Sequence, residues 1–242
     1  MKVVLLRVGI DKGSGGILGP LFSDGGFEFI PIDEERWPER RTYGNTRGRS
    51  GRAFIEYFPP AKRIQMENVR LHNDPEFENF TYGDPTQPKR GLRRLRPGDL
   101  LVFYAGLEGW RDCVKRPGLY LIGYFEVQYA GFYPALVEEL GAQQVRRLFR
   151  NNPHVRFGRA GDHDKLVLVK GNQESRLLRK AVRLSAQKPG SDRGGHPVYV
   201  LDGSAKRYFG TFSELNAIQR SIPRWVSERY AQRAAEFVRS LD

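Results

Sequence analysis

Two apolar segments in the middle of the chain constrain its fold more than any other feature. Residues 100–105 (LLVFYA) and residues 119–127 (LYLIGYFEV) are rich in leucine, aromatic and β-branched side chains. Apolar runs of this length, bounded by turn residues such as Pro97, Gly98 and Asp99, are typical of buried strands. We therefore predict that the two segments form a hairpin at the centre of a β core.

Shorter elements are predicted around this hairpin from the spacing of apolar residues. We expect strands at residues 2–10, 27–32, 166–169 and 198–201, and helices at residues 132–151, 174–184 and 227–241. Glycine, proline and charged residues predict a long flexible loop or insertion at 33–53 and further loops at 72–94 and 186–197. Since no repeat or clear linker divides the sequence, we predict a single α+β domain over residues 1–242, with insertions at 33–53 and 72–94 and a helical extension at 213–242.

The charge of the chain indicates its class of partner. Forty Lys and Arg against 28 Asp and Glu give a formal net charge of +12, and 39% of the residues are hydrophobic, enough for a folded core. A basic field attracts polyanions, and the arginine fork suits phosphates and guanine edges. The alternative is a charged surface of the kind found in thermophilic proteins. We favour nucleic acid or a nucleotide as the partner.

The sequence also argues against several classes of protein. A single cysteine, Cys113, cannot form an intramolecular disulfide or a cysteine-rich zinc site. The apolar run at residues 3–6 is interrupted by Arg7, unlike a signal peptide, and no run approaches the ~18 apolar residues that span a bilayer. We therefore expect a cytoplasmic protein without membrane contact, of unknown oligomeric state.

The predicted hairpin resembles a known fold. A Gly98-Asp99 pair leading into an apolar strand that ends in Phe103-Tyr104, followed by a returning strand with Ile122-Gly123, is similar to the central hairpin of PUA-like domains, the EVE and YTH branches above all. The resemblance implies a mixed β-barrel core with flanking helices and long Arg-rich loops. It also implies a base pocket between the end of the chain's first strand, at residues 2–10, and the loop that follows the Phe103-Tyr104 strand.

The whole chain resembles the third of the nucleotide modification associated domain families. The resemblance is carried by five segments: residues 7–11 (RVGID), 19–22 (GPLF), 72–77 (HNDPEF), 81–84 (TYGD) and 223–226 (PRWV). The resemblance implies a role connected with modified nucleotides, but it does not assign catalytic residues.

A first candidate site follows from the PUA-like resemblance and the glycine-rich loop at residues 9–19. By position, a base or ligand pocket would be lined by Gly9, Ile10, Asp11, Ser14, Tyr104, Gly106 and Trp110. A flipped base needs aromatic faces to stack on and a few polar groups to read its edge, which Tyr104, Trp110 and Asp11 could supply. The alternatives are that Tyr104 belongs to the core, that Trp110 anchors a loop, and that the glycines only close one end of the β core.

A second candidate site is the acidic segment that begins at His72. His72, Asp74 and Glu76 could act as acid–base catalysts, and Asp74, Glu76 and Asp84 could hold a divalent cation. The alternative is an acidic turn that pairs with nearby arginines. No pattern of zinc ligands appears in the sequence, so we predict no required metal or cofactor, and we expect His154 and His163 at the surface or beside a bound phosphate.

Phosphate contacts are predicted at five arginines, namely Arg47, Arg49, Arg93, Arg220 and Arg224. Two functional hypotheses result. In the first, the protein binds nucleic acid and recognises a modified base in a PUA-like pocket. In the second, it is a transferase or hydrolase that modifies nucleotides or nucleic acid through the segment from His72 to Asp84. A basic protein–protein adaptor is the third possibility.

Overall fold

A computed structural model describes residues 1–158, 160–191, 197–212 and 222–241. Its strands are β1 (Val3–Arg7), β2 (Gly19–Leu21), β3 (Ile32–Glu34), β4 (Arg70–His72), β5 (Thr81–Asp84), β6 (Leu100–Gly109), β7 (Gly118–Phe132), β8 (Val167–Gly171), β9 (Arg176–Arg183), β10 (Ser185–Ser191), β11 (Pro197–Leu201) and β12 (Arg224–Trp225). Its helices are α1 (Pro60–Met66), α2 (Tyr133–Leu140), α3 (Ala142–Leu148), α4 (Pro153–Phe157), α5 (Ala160–His163), α6 (Gly203–Phe209) and α7 (Glu228–Arg239), with 3₁₀ helices at Phe54–Tyr57 and Gln87–Arg94.

The predicted central hairpin is confirmed. β6 and β7 pair antiparallel, with Leu100 opposite Glu126 and Leu107 opposite Gly118. β1 lies parallel to β6 on its other side, with Leu5 opposite Val102. β6 is buried along most of its length because it has a strand on each side and apolar residues on both of its faces.

The main sheet is mixed and has eight strands. Its strand order is β12-β1-β6-β7-β8-β5, with β2 paired to β6 and β9 paired to β7. Within the described ranges this path runs from β12 to β5 without closing into a barrel, so the α+β class is confirmed and the PUA-like barrel is not. None of the described helices is long and apolar enough to cross a membrane.

Among the described residues, the sheet and the helices enclose three clusters of buried apolar side chains. The largest covers the main sheet, where the rings of Phe77, Phe103 and Phe125 meet edge to face. α7 packs on this cluster through buried residues that include Ala234 and Val238, which confirms the predicted C-terminal helix. A second cluster includes Tyr43 and lies under the region predicted to be a flexible insertion.

Several predicted elements differ from the structure. Residues 174–184 were expected to form a helix, but β9 occupies them because the long strand β7 offers them a hydrogen-bonding partner. The expected strand at 27–32 is displaced to β3, which pairs with β4. The expected loop at 72–94 contains β5 and a 3₁₀ helix, and the loop at 186–197 contains most of β10.

Two helical predictions also need correction. The helix expected at 132–151 is divided at Gly141, whose positive φ of 82° ends α2. In the expected extension at 213–242, residues 213–221 and 242 lie outside the described part, and β12 precedes α7.

Candidate functional site

A charged cleft opens where the end of β1 meets β4 and β5. It is lined by Arg7, Val8, Gly9, Ile32, His72, Asp74, Tyr82, Gly83, Asp84 and Lys89, and the space inside it that small molecules can occupy is about 80 Å³. This volume is below the ~300–1,000 Å³ of typical small-molecule sites. Two cations and two carboxyl groups therefore share a narrow space, open to solvent on one side.

At one side of the cleft, His72 and Asp74 meet His154, a residue distant in sequence. Asp74 Oδ2 lies 4.0 Å from His72 Nε2 and 3.5 Å from His154 Nε2. The three ligand atoms all lie within 4.8 Å of one another, and the three side chains could hold a metal ion. The prediction that His154 lies at the surface is wrong, since this residue is buried.

His72 is oriented by a buried carboxylate. β4, which ends at His72, pairs with β3, and this pairing brings Glu34 Oε2 within 2.9 Å of His72 Nδ1. Burial raises the pKa of Glu34, but hydrogen bonds from His72 and from the Arg36 amide outweigh it, and the pKa lies below its ordinary value. Because the ionised carboxylate accepts a hydrogen bond from Nδ1–H, the lone pair of Nε2 faces Asp74.

The Asp74 side chain is only 2% exposed. Burial raises the pKa of its carboxyl well above the ordinary value, the charges of Asp84 and Glu76 act in the same direction, and a hydrogen bond from the Gly83 amide opposes the shift. That amide donates to Oδ2 at 2.9 Å. Within the described residues, Oδ1 receives no hydrogen bond of good geometry, although the Asn152 side chain lies close enough to lower the pKa.

His154 lies in the first turn of α4. Asn152 caps this helix by accepting a hydrogen bond from the His154 amide at 3.1 Å. Burial lowers the pKa of the His154 imidazole well below its ordinary value, and the nearby charges of His72, Arg36 and His163 lower it further. The Asn152-Pro153 pair was available as a helix-start signal in the sequence, but nothing in the sequence connected this helix with His72.

The segment predicted to be a flexible insertion supports this cluster. Besides Glu34, it contributes Trp37, whose ring centroid lies 5.0 Å from that of His72 and 4.8 Å from that of His154. It also contributes Glu39, which pairs with Arg156 of α4 at 3.6 Å. Trp37 is buried, and it covers the histidines on the face that it contacts.

The other predicted acidic residues have different environments. Glu76 accepts hydrogen bonds from the backbone amides of Glu78 and Asn79, so it stabilises its own turn rather than joining the histidines. Asp84 lines the cleft, where it pairs with Lys89 at 3.6 Å. Of the predicted catalytic set, the structure therefore brings His72 and Asp74 together, with His154 in place of Glu76.

The residues of the predicted base pocket are brought together only in part. Gly9, Ile10 and Gly106 line one depression, whose enclosed volume is about 0 Å³, too small for a ligand. Tyr104 is fully buried, and burial raises the pKa of its hydroxyl. Trp110 packs edge to face on Phe22 and Tyr57.

The two polar residues of that set lie near one another in the loop after β1. Asp11 pairs with Arg7 at 3.5 Å, and the Ser14 hydroxyl donates to Asp33 at 3.0 Å. Gly9 also lines the charged cleft, so the end of β1 belongs to both depressions.

The predicted phosphate contacts are also separated. Arg47 and Arg93 are exposed and donate to nearby backbone carbonyls, and the exposed Arg49 donates to the carbonyl of Leu178. Arg224 is buried on β12, next to β1. Arg220 lies outside the described residues. Their contact with phosphate stays a prediction.

Comparison with known proteins identifies the family. The chain matches the family described as nucleotide modification associated domain 3 over residues 2–240, and it belongs to that family. No curated protein and no solved structure matches it. Membership associates the chain with the modification of nucleotides.

Proposed function

We propose that the protein is an enzyme that modifies a nucleotide, either free or within nucleic acid, in the charged cleft. The observation that carries this proposal is the convergence of His72, Asp74 and His154 beside a cleft that also contains Arg7 and Lys89. Buried groups with shifted pKa values in a cleft are typical of catalytic sites. The association of the family with nucleotide modification supports a nucleotide as the class of substrate.

The cleft favours an enzyme over a protein that only recognises a modified base. Recognition requires an aromatic surface on which the base can stack. Tyr104 is enclosed in the core, and Trp110 packs against other rings. The cleft instead offers imidazole and carboxyl groups, which supply proton transfer or hold a metal.

The two cations of the cleft suit a phosphate group. Arg7 Nε is buried and makes no hydrogen bond within the described residues, and Lys89 contributes an ammonium group that is nearly enclosed. Charge-assisted hydrogen bonds to phosphate are among the stronger polar contacts in proteins. These cations would hold the phosphate while the reacting part of the nucleotide meets the histidines.

Replacement of Asp74 by Asn should abolish the modification. The amide cannot carry a proton to or from the substrate, nor can it replace a charged ligand. The measurement is mass spectrometry of nucleosides from digested DNA, RNA and nucleotide pools of cells that express the wild type or D74N. A nucleoside that appears or declines with the wild type should be unchanged by D74N.

The matched control is Asp24→Asn, because Asp24 accepts a hydrogen bond only within its own exposed turn. This variant should produce the same nucleosides as the wild type. Identical profiles for the wild type and a folded D74N protein would contradict the proposed enzyme.

Replacement of Lys89 by Met should weaken the binding of nucleoside monophosphates by about 10- to 100-fold, because a hydrogen bond to a charged group contributes ~1.5–3 kcal/mol. Isothermal titration calorimetry at two salt concentrations checks this, and the wild type should lose affinity as salt rises. Lys180→Met, at an exposed position on β9, is the control. Equal affinities for the two variants would exclude Lys89 from the phosphate site.

A further inference from the structure

We propose that His72, Asp74 and His154 bind a zinc ion whose fourth coordination position opens to the charged cleft. The inference rests on the ligand atoms and their surroundings, and it stands whether or not the protein is an enzyme. It replaces the cation site predicted at Asp74, Glu76 and Asp84, because the Glu76 carboxylate is engaged by backbone amides.

The chemistry of the ligands selects the class of metal. Two imidazole nitrogens and one carboxylate oxygen suit Zn²⁺ and its transition-metal neighbours. Calcium and magnesium prefer ligand sets made of oxygen alone. The cluster therefore discriminates against the two most abundant divalent cations of cells.

The spacing of the ligand atoms favours tetrahedral coordination. Ligands about 2.1 Å from a tetrahedral zinc are ~3.4 Å apart, whereas neighbouring ligands of an octahedral ion at the same distance are ~3.0 Å apart. The observed separations from Asp74 Oδ2 are 3.5 Å to His154 Nε2 and 4.0 Å to His72 Nε2. The ligand atoms would therefore have to move together less to reach tetrahedral coordination than to reach octahedral coordination.

The residues around the cluster resemble the support of a metal site. Glu34 accepts a hydrogen bond from His72 Nδ1 at 2.9 Å, which leaves Nε2 free to coordinate. The backbone amide of Gly83 donates a hydrogen bond to Asp74 Oδ2. The ligands are therefore oriented before any ion arrives.

A second observation also indicates a ligand. Asp74 is enclosed, and its Oδ1 atom lacks a hydrogen bond of good geometry among the described residues. The Asn152 side chain lies close to this carboxyl group but does not hydrogen-bond Oδ1 in good geometry, and a poorly hydrogen-bonded buried carboxylate oxygen is costly. A zinc ion, or a water molecule bound to it, would satisfy this oxygen.

The position of the cleft indicates a catalytic rather than a structural zinc site. Structural zinc sites are closed by four protein ligands, whereas catalytic sites have three and an open position for water or substrate. Trp37 covers the histidines on one side, and His72 and Asp74 line the cleft on the other. A water molecule would take the fourth position, and zinc lowers the pKa of such a water to about 7.

The test uses the full chain, purified without a polyhistidine tag and freed of metal with a chelator. Titration with zinc, followed by elemental analysis after gel filtration, should give about one ion per chain. His72→Ala with His154→Ala should eliminate this binding. His163→Ala with His196→Ala, which removes the other two histidines of the sequence, should preserve it.

Cobalt replacement tests the geometry and does not depend on the stability of the histidine variants. Cobalt(II) should give the intense visible absorption of tetrahedral coordination in the wild type, and Asp74→Asn should change that spectrum. Failure to retain zinc, equal loss in both double variants, or the weak absorption of octahedral cobalt would overturn the proposal. Zinc binding with unchanged nucleoside profiles would preserve the site and reject only the enzyme.

Discussion

Replacement of Phe103 by alanine should lower the free energy of unfolding by about 3–5 kcal/mol, the range for aromatic side chains removed from a core. Phe103 is fully buried on β6. Its ring lies 4.6 Å from that of Phe125 and 5.5 Å from that of Phe77, centroid to centroid. The change leaves a cavity at the centre of the main sheet, where paired backbones on both sides limit relaxation.

Urea denaturation followed by circular dichroism measures this effect, provided that unfolding is two-state. Ile64→Ala is the control, because Ile64 is 90% exposed and its removal should change the free energy of unfolding by no more than about 0.5 kcal/mol. If the two variants lose similar stability, the β6–β7 hairpin is not the centre of the core.

Replacement of Glu34 by alanine should weaken zinc binding by about 10- to 100-fold, the usual effect of removing a residue that orients a metal-binding histidine. Glu34 does not reach the proposed ion. It fixes the proton on His72 Nδ1 through a hydrogen bond of 2.9 Å, so its loss frees the imidazole to rotate and to change tautomer.

Competition with a chromophoric chelator measures the zinc affinity, and cobalt absorption shows whether tetrahedral geometry persists. The neighbouring residue provides a matched control, because Glu35 is exposed and Glu35→Ala removes the same charge from the same segment. If both variants bind zinc equally well, Glu34 supports the fold and has no role in orienting the ligand. Aspartate at position 34, one methylene shorter, should restore little affinity.

The site depends on a segment that the sequence describes poorly. Glycine and arginine in residues 33–53 predict a mobile insertion, yet Glu34, Trp37 and Glu39 from this segment are buried beside the histidines or the helix that carries His154. Each of these side chains finds its partner on another element, and single-sequence patterns contain no information about such partners.

The elements with a local sequence signal could be predicted from the sequence alone. The β6–β7 hairpin, the first strand, β8 and the C-terminal helix follow from runs and periods of apolar residues, and the family follows from motifs spread over the chain. The sequence also identified His72 and Asp74 as candidate catalytic residues. That β9 is a strand is evident only from the folded chain, because its hydrogen-bonding partner is β7. Only the tertiary structure brought His154, 80 residues after Asp74 in the sequence, to 3.5 Å from that carboxylate. A coordination site depends on the distances between its ligand atoms, and the packing of α4 beside β5 sets the distance between His154 and Asp74.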